Sequence, residues 1–158
     1  MSRDSFPSTL ANEDATLAER VVTLAAVTQT LTKEEHANRL LVINAVATTD
    51  TKTITLPKAT GSGDKYEIIN NAVQTQSVVI AALGADVLAG IARMFGETAT
   101  TADVFHTTAT SDKYTFNITT TGGLRGDRAE FVDYAAGTWL CQIVGTGSGT
   151  VATGFTAT

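Results

Sequence analysis

The sequence is short of charge, of cysteine, of clustered cations and of long apolar runs, and each shortage removes a class of protein. Only 17% of its 158 residues are charged, against about 25% in ordinary soluble domains. Much of the surface must therefore be Thr, Ser, Asn, Gln and Ala, which suits a chain packed against neighbours. Net charge is −5, and Lys and Arg cluster nowhere. A phosphate backbone or an anionic membrane needs several cations on one face, so neither nucleic acid nor membrane is expected as a partner. The single cysteine, Cys141, can form no intrachain disulfide. It alternates with Trp139 and Ile143 and reads as a small buried apolar residue. The only histidines, His36 and His106, are isolated, so no thiol–imidazole pair, metal site or cofactor is expected. His106 reads as a solvent-facing position on a strand. No segment approaches the ~20 apolar residues that span a bilayer. Residues Met1 to Pro7 lack the cationic end and apolar stretch of a secretion signal, so cytosolic synthesis without a removable leader is expected.

Catalytic motifs are missing too. Gly145-Thr146-Gly147-Ser148-Gly149 only partly spells a nucleophile elbow and reads as a closing turn. Gly61 and Gly63 precede Asp64-Lys65 with no helical pattern behind them, which excludes a phosphate loop. The carboxylates Asp127, Glu130 and Asp133 are close in sequence, but an acid–base pair depends on spatial separation. Arg125-Gly126-Asp127 spells an integrin tripeptide; with Gly122 and Gly123 beside it, the segment reads as a flexible turn flanked by solvated charges. No enzyme is expected.

What is abundant is threonine, at roughly one residue in five or six. Thr is β-branched and sits well on a pleated, half-exposed surface. Apolar residues recur at every second position over Thr51–Leu56, where Ile54 and Leu56 share a face, and over Lys113–Thr119, where Tyr114, Phe116 and Ile118 do. Further strands are read at Leu40–Ile43, Lys65–Ile69, Ser77–Leu83, Arg128–Tyr134 and around Trp139. Lys33–Asn38 reads as a polar connector or single helical turn. Short strands about ten residues apart, bounded by Gly, Asn or Asp, predict an all-β fold. The expected form is a single antiparallel β-sandwich or small barrel, jelly-roll-like, with an extended N-terminal arm. Residues 1–26 are assigned to the arm and 27–158 to the β domain. Leu10, Leu17, Leu24 and Leu31 fall seven apart, but the companion positions Asp14, Val21 and Thr28 are mostly polar, which disfavours a coiled coil.

Two segments carry a resemblance. Thr53-Ile54-Thr55-Leu56-Pro57-Lys58-Ala59-Thr60-Gly61-Ser62-Gly63-Asp64-Lys65-Tyr66 resembles a signature of small β-rich structural proteins of tailed bacteriophages. Gly126-Asp127-Arg128-Ala129-Glu130-Phe131-Val132-Asp133, with Ala135-Ala136-Gly137-Thr138-Trp139-Leu140, is similar to their closing half, and Leu31–Arg39 fits the lead-in. The resemblance implies a capsid decoration (cement) protein: a homotrimer, made in the host cytoplasm, bound to the major capsid protein lattice on the outer surface of the virion. A tail-fibre, head-fibre or spike module for receptor or glycan recognition is the alternative, because the same module appears there. The candidate interaction residues are Phe6, Pro7, Leu10, Leu17, Val21 and Leu24, all in the arm. An arm that orders on a lattice loses chain entropy, and three arms acting together recover affinity.

Overall fold

The computed structural model describes residues 20–45, 49–98 and 101–158. Twelve strands and one helical turn lie within them. A seven-stranded sheet has the order β1 (Val21–Thr23), β3 (Arg39–Ile43), β5 (Lys65–Asn70), β10 (Arg128–Ala135), β11 (Thr138–Gly147), β7 (Val87–Gly96), β8 (Ala102–His106). A five-stranded sheet has the order β12 (Phe155–Thr156), β9 (Lys113–Phe116), β6 (Val78–Ala81), β4 (Lys52–Thr55), β2 (Thr28–Thr30). The fold is all-β and sandwich-like, and it does not close into a barrel.

The first six strands alternate between the sheets, and within each sheet consecutive ones pair in parallel: β1 with β3 and β3 with β5, β2 with β4 and β4 with β6. The chain thus winds like a coil before it folds back. The remainder returns through antiparallel pairs, except that β7 lies parallel to β11 over its whole length. Of the ten strand pairs, five are parallel and five antiparallel. The expected purely antiparallel sandwich is therefore corrected to two mixed sheets. Parallel neighbours need a crossover, and here a strand of the opposite sheet supplies each early one.

Alternation decides what lies inside. Leu41 and Ile43 of β3, Ile54 of β4, Tyr66 and Ile68 of β5, and Val78 and Ile80 of β6 are all fully buried. Trp139 meets Tyr66 edge-on at 5.4 Å, and Tyr114 meets Phe116 and Phe155 at 5.0 and 5.1 Å in the same manner. Lys52 is buried as well; its ammonium donates to the Ala26 carbonyl, and burial lowers its pKa.

Three other boundaries differ from the sequence reading. Residues 20–26, assigned to the arm, belong to the domain: β1 pairs with β3, and Leu24 is only 2% exposed among the core residues. The β-branched pair Val21-Val22 forms this edge strand. β9 stops at Phe116, because the Asn117 side-chain oxygen accepts the N–H groups of Thr119, Thr120 and Thr121 and turns the chain, leaving Ile118 at φ 66°. Gly145–Gly147 is not a turn; it ends β11 in register with Met94–Gly96.

Candidate functional site

The outward positions of the two sheets differ sharply. On the five-stranded sheet they are Thr28, Thr30, Thr53, Thr55, Thr115 and Thr156, with Val79, Ala81 and Lys113. On the seven-stranded sheet one cross-strand row reads Val21, Leu40, Glu67, Glu130, Gln142, Ile91, His106. The next reads Thr23, Val42, Ile69, Arg128, Val144, Arg93, Val104. Val132, Tyr134, Leu140 and Phe95 share that face, with Tyr134 67% and Leu140 40% exposed. A solvated sheet face is normally polar; here seven of the fourteen positions in these two rows are aliphatic and the other seven are charged or polar.

Four of the charges on this face form two pairs. Lys65 reaches Glu130 at 3.0 Å, and Arg128 approaches Glu67 at 4.0 Å. Toward the β1 edge, a shallow groove of about 630 Å³ is lined by Arg20, Val21, Asn38, Arg39, Leu40, Lys65 and Glu67.

The carboxylates singled out in the sequence have structural work instead. Asp133, 3% exposed, accepts the N–H groups of Thr60, Gly61 and Ser62 and the hydroxyls of Thr60 and Ser62. Burial alone would raise its pKa, but these donors outweigh it and hold the carboxyl at about 2. Asp127, 5% exposed, accepts the N–H groups of Gly123, Leu124 and Thr146. There burial wins and its pKa is raised, despite those bonds. The two lie at opposite ends of β10, six residues or about 20 Å apart at ~3.3 Å per residue. Glycosidase carboxylates stand within about 9.5 Å, so these do not form such a pair. Asp127 also turns its carboxylate inward, so Arg125-Gly126-Asp127 does not present an exposed acid.

A third clamp was not legible in the sequence. Asp86, 1% exposed, accepts the Ala59 N–H at 2.7 Å and pairs with Lys58. Cys141 is buried as expected, and burial pushes its thiol up to about 12. His106 is exposed on β8. His36 is 3% exposed: its Nδ1 accepts the Thr32 N–H at 3.0 Å, and its Nε2 lies 3.2 Å from Gln29 Nε2. Among the described residues no group of three or more His, Cys, Asp or Glu could hold a metal, and no helix is long and apolar enough to cross a membrane.

Of the candidate interaction residues, Val21 is 56% exposed on the apolar face, and Leu24 points into the core. Phe6, Pro7, Leu10 and Leu17 lie outside the described residues. No protein-family model, curated protein or solved structure matches this chain.

Proposed function

We propose that this chain is a non-enzymatic structural subunit of a tailed-bacteriophage particle, a decoration protein that trimerises and binds the outer surface of the capsid lattice. One observation carries the reading: the seven-stranded sheet exposes Val21, Phe95, Val104, Tyr134 and Leu140 among charged residues on its outward face, whereas the five-stranded sheet turns out mostly threonine. Several large apolar side chains exposed on one sheet face favour an interaction surface. Seven strands at ~4.8 Å spacing span about 29 Å, and the longest run about 33 Å. Because the edge strands are shorter than the central ones, the whole face, charged residues included, covers about 750 Å², on the order of the ~800 Å² per partner of a standard stable interface. In this reading the apolar face meets the lattice and the threonine face meets solvent.

The sequence resemblance supports the same assignment, and its two segments are joined through Asp133 and Thr60–Ser62. The test is to mix the purified protein with capsids that lack it and to image the particles. Added density at fixed lattice positions and capsids more resistant to disruption are expected. Deleting Met1–Asn12 is expected to leave a folded protein with lost capsid binding. Absence from capsids, with binding to host cells or glycans instead, would replace this reading by the fibre or spike alternative.

A further inference from the structure

Among the described residues no strand covers the outer edge of β1 or of β8, and the two edges match each other. At one edge, the Leu40 N–H donates to the Arg20 carbonyl and the Leu24 N–H to the Val42 carbonyl. Residues 20, 22 and 24 thus bond to β3, and the backbone groups of Val21 and Thr23 point away from the sheet. At the other edge, the Thr107 N–H donates to the Gly90 carbonyl. In the antiparallel register of β8 with β7, residues 103, 105 and 107 then face β7. The backbone groups of Ala102, Val104 and His106 point away.

Side chains on the two edges also agree. Val21 and Val104 are 56% and 49% exposed, and both stand on the outward face. At the β1 edge Arg20 is exposed beside Val21. At the β8 edge Asp103 is exposed beside Val104. Neither strand contains the proline or lysine that usually blunts an edge.

Chain direction completes the fit. β1, β3 and β5 run together, β10 runs against them, β11 and β7 run with them, and β8 runs against β7. β8 is therefore opposite to β1. A second copy rotated about an axis along the strands brings its β8 antiparallel to β1 of the first, with the same face outward in both.

We propose that β1 of one copy pairs antiparallel with β8 of the next, Val21 against Val104, so that copies join head to tail through their seven-stranded sheets. In that register Arg20 lies diagonal to Asp103 of the next copy, within reach of a charge pair. Such a contact is heterologous and closes into a ring when the rotation fits. The inference rests on the self-association read under the proposed function and supplies its contact.

The test uses the full chain with Val21→Cys and Val104→Cys, each made singly and together. Cys141 is buried and takes no part. Co-produced single variants are expected to oxidise to covalent pairs, and the double variant to a covalent trimer. Neither single variant alone is expected to cross-link. Val104→Pro and Thr23→Pro remove edge donors without touching the bonds to β7 or β3. Both are expected to reduce the mass in solution from three chains to one. Thr28→Pro, on the open edge of β2, is expected to leave the mass unchanged. A trimer that persists in the proline variants and never cross-links would overturn the edge contact while self-association stands. Disulfides between two Val21→Cys copies would also overturn it. A wild-type protein that is monomeric at every concentration would overturn both readings.

Discussion

Thr60 and Asp133 lie 73 positions apart and are joined twice, because the Thr60 N–H and its hydroxyl both donate to the Asp133 carboxylate at 2.8 Å. Gly61 and Ser62 add their N–H groups, and Asp86 takes the N–H of Ala59 just upstream. Further backbone bonds run from Gly63 N–H to the Asp133 carbonyl and from Gly137 N–H to the Ala59 carbonyl. The loop between β4 and β5 is thereby fixed to the β10–β11 hairpin, and the two segments that carry the phage resemblance form one structural unit.

Asp133→Ala is expected to cost at least ~3 kcal/mol, since it strips the acceptor from five donors, some of them backbone groups with no other partner. The wild-type carboxyl titrates at about 2 when folded and near 3.9 when unfolded. Its pKa is depressed by folding, so its contribution is present above about pH 4 and is lost as pH falls toward 2. Denaturant midpoints taken from pH 5 to pH 2 should show roughly 2 kcal/mol of acid loss in the wild type. Asp133→Asn should lack that part of the slope.

Asp127 has the opposite sign. Burial raises its folded pKa, so its contribution is fully present below the ordinary carboxylate value and is lost as pH rises through the folded one. Comparing unfolding free energies from pH 4 to 7, the wild type should lose stability relative to Asp127→Asn across that window. A steeper loss in the variant would contradict the burial argument.

Gly90→Ala is expected to be among the most damaging single substitutions. A Cβ there would stand 1.9 Å from the Cys141 carbonyl oxygen and 2.9 Å from its sulfur, within the parallel β7–β11 pair. Backbone cannot give way as a flexible side chain can, so a loss of several kcal/mol or failure to fold should follow. Gly63→Ala meets open space at φ +79° and should cost only about 1 kcal/mol of backbone strain. Thermal melts of the two variants would separate steric overlap from conformational strain.

Cys141 should resist thiol reagents in the native protein. With the thiol pushed up to about 12, only about one molecule in ten thousand carries thiolate at pH 8, and the sulfur is buried besides. Labelling should appear only with denaturant, at a rate that follows unfolding.

Leu140→Lys and Val144→Glu place charge on the apolar outward face without entering the core. Melting temperatures should change by the equivalent of less than ~1 kcal/mol, because surface positions carry little stability. Capsid binding should fall by an order of magnitude or more. Retained binding in both variants would remove the face from the assembly role.

Much of the sheet structure was legible in the alternation. Ile54, Leu56, Tyr114 and Phe116 were expected on buried faces and are there. β7 was not read, because Gly90 and the small residues Ala89 and Ala92 blur its period; its pairing with β11 is what holds it as a strand. Leu24 was read as an arm residue because nothing in a seven-residue spacing reveals that a three-residue edge strand covers the core. Asp86 carried no local signal, since its partner Ala59 lies 27 positions away.

The sequence by itself determined that the chain is β-rich, that its inward faces are apolar, and that Cys141 is an interior residue, because all three depend on period and composition alone. The tertiary structure decided that the strands wind between two mixed sheets, that Asp127 and Asp133 brace loops rather than meet each other, and that one outward face mixes apolar with charged side chains while the other is mostly threonine. The physical reason is that alternation marks only two sides of each strand. Which side gathers with which, and which edges stay open, depends on pairing between residues far apart in the chain.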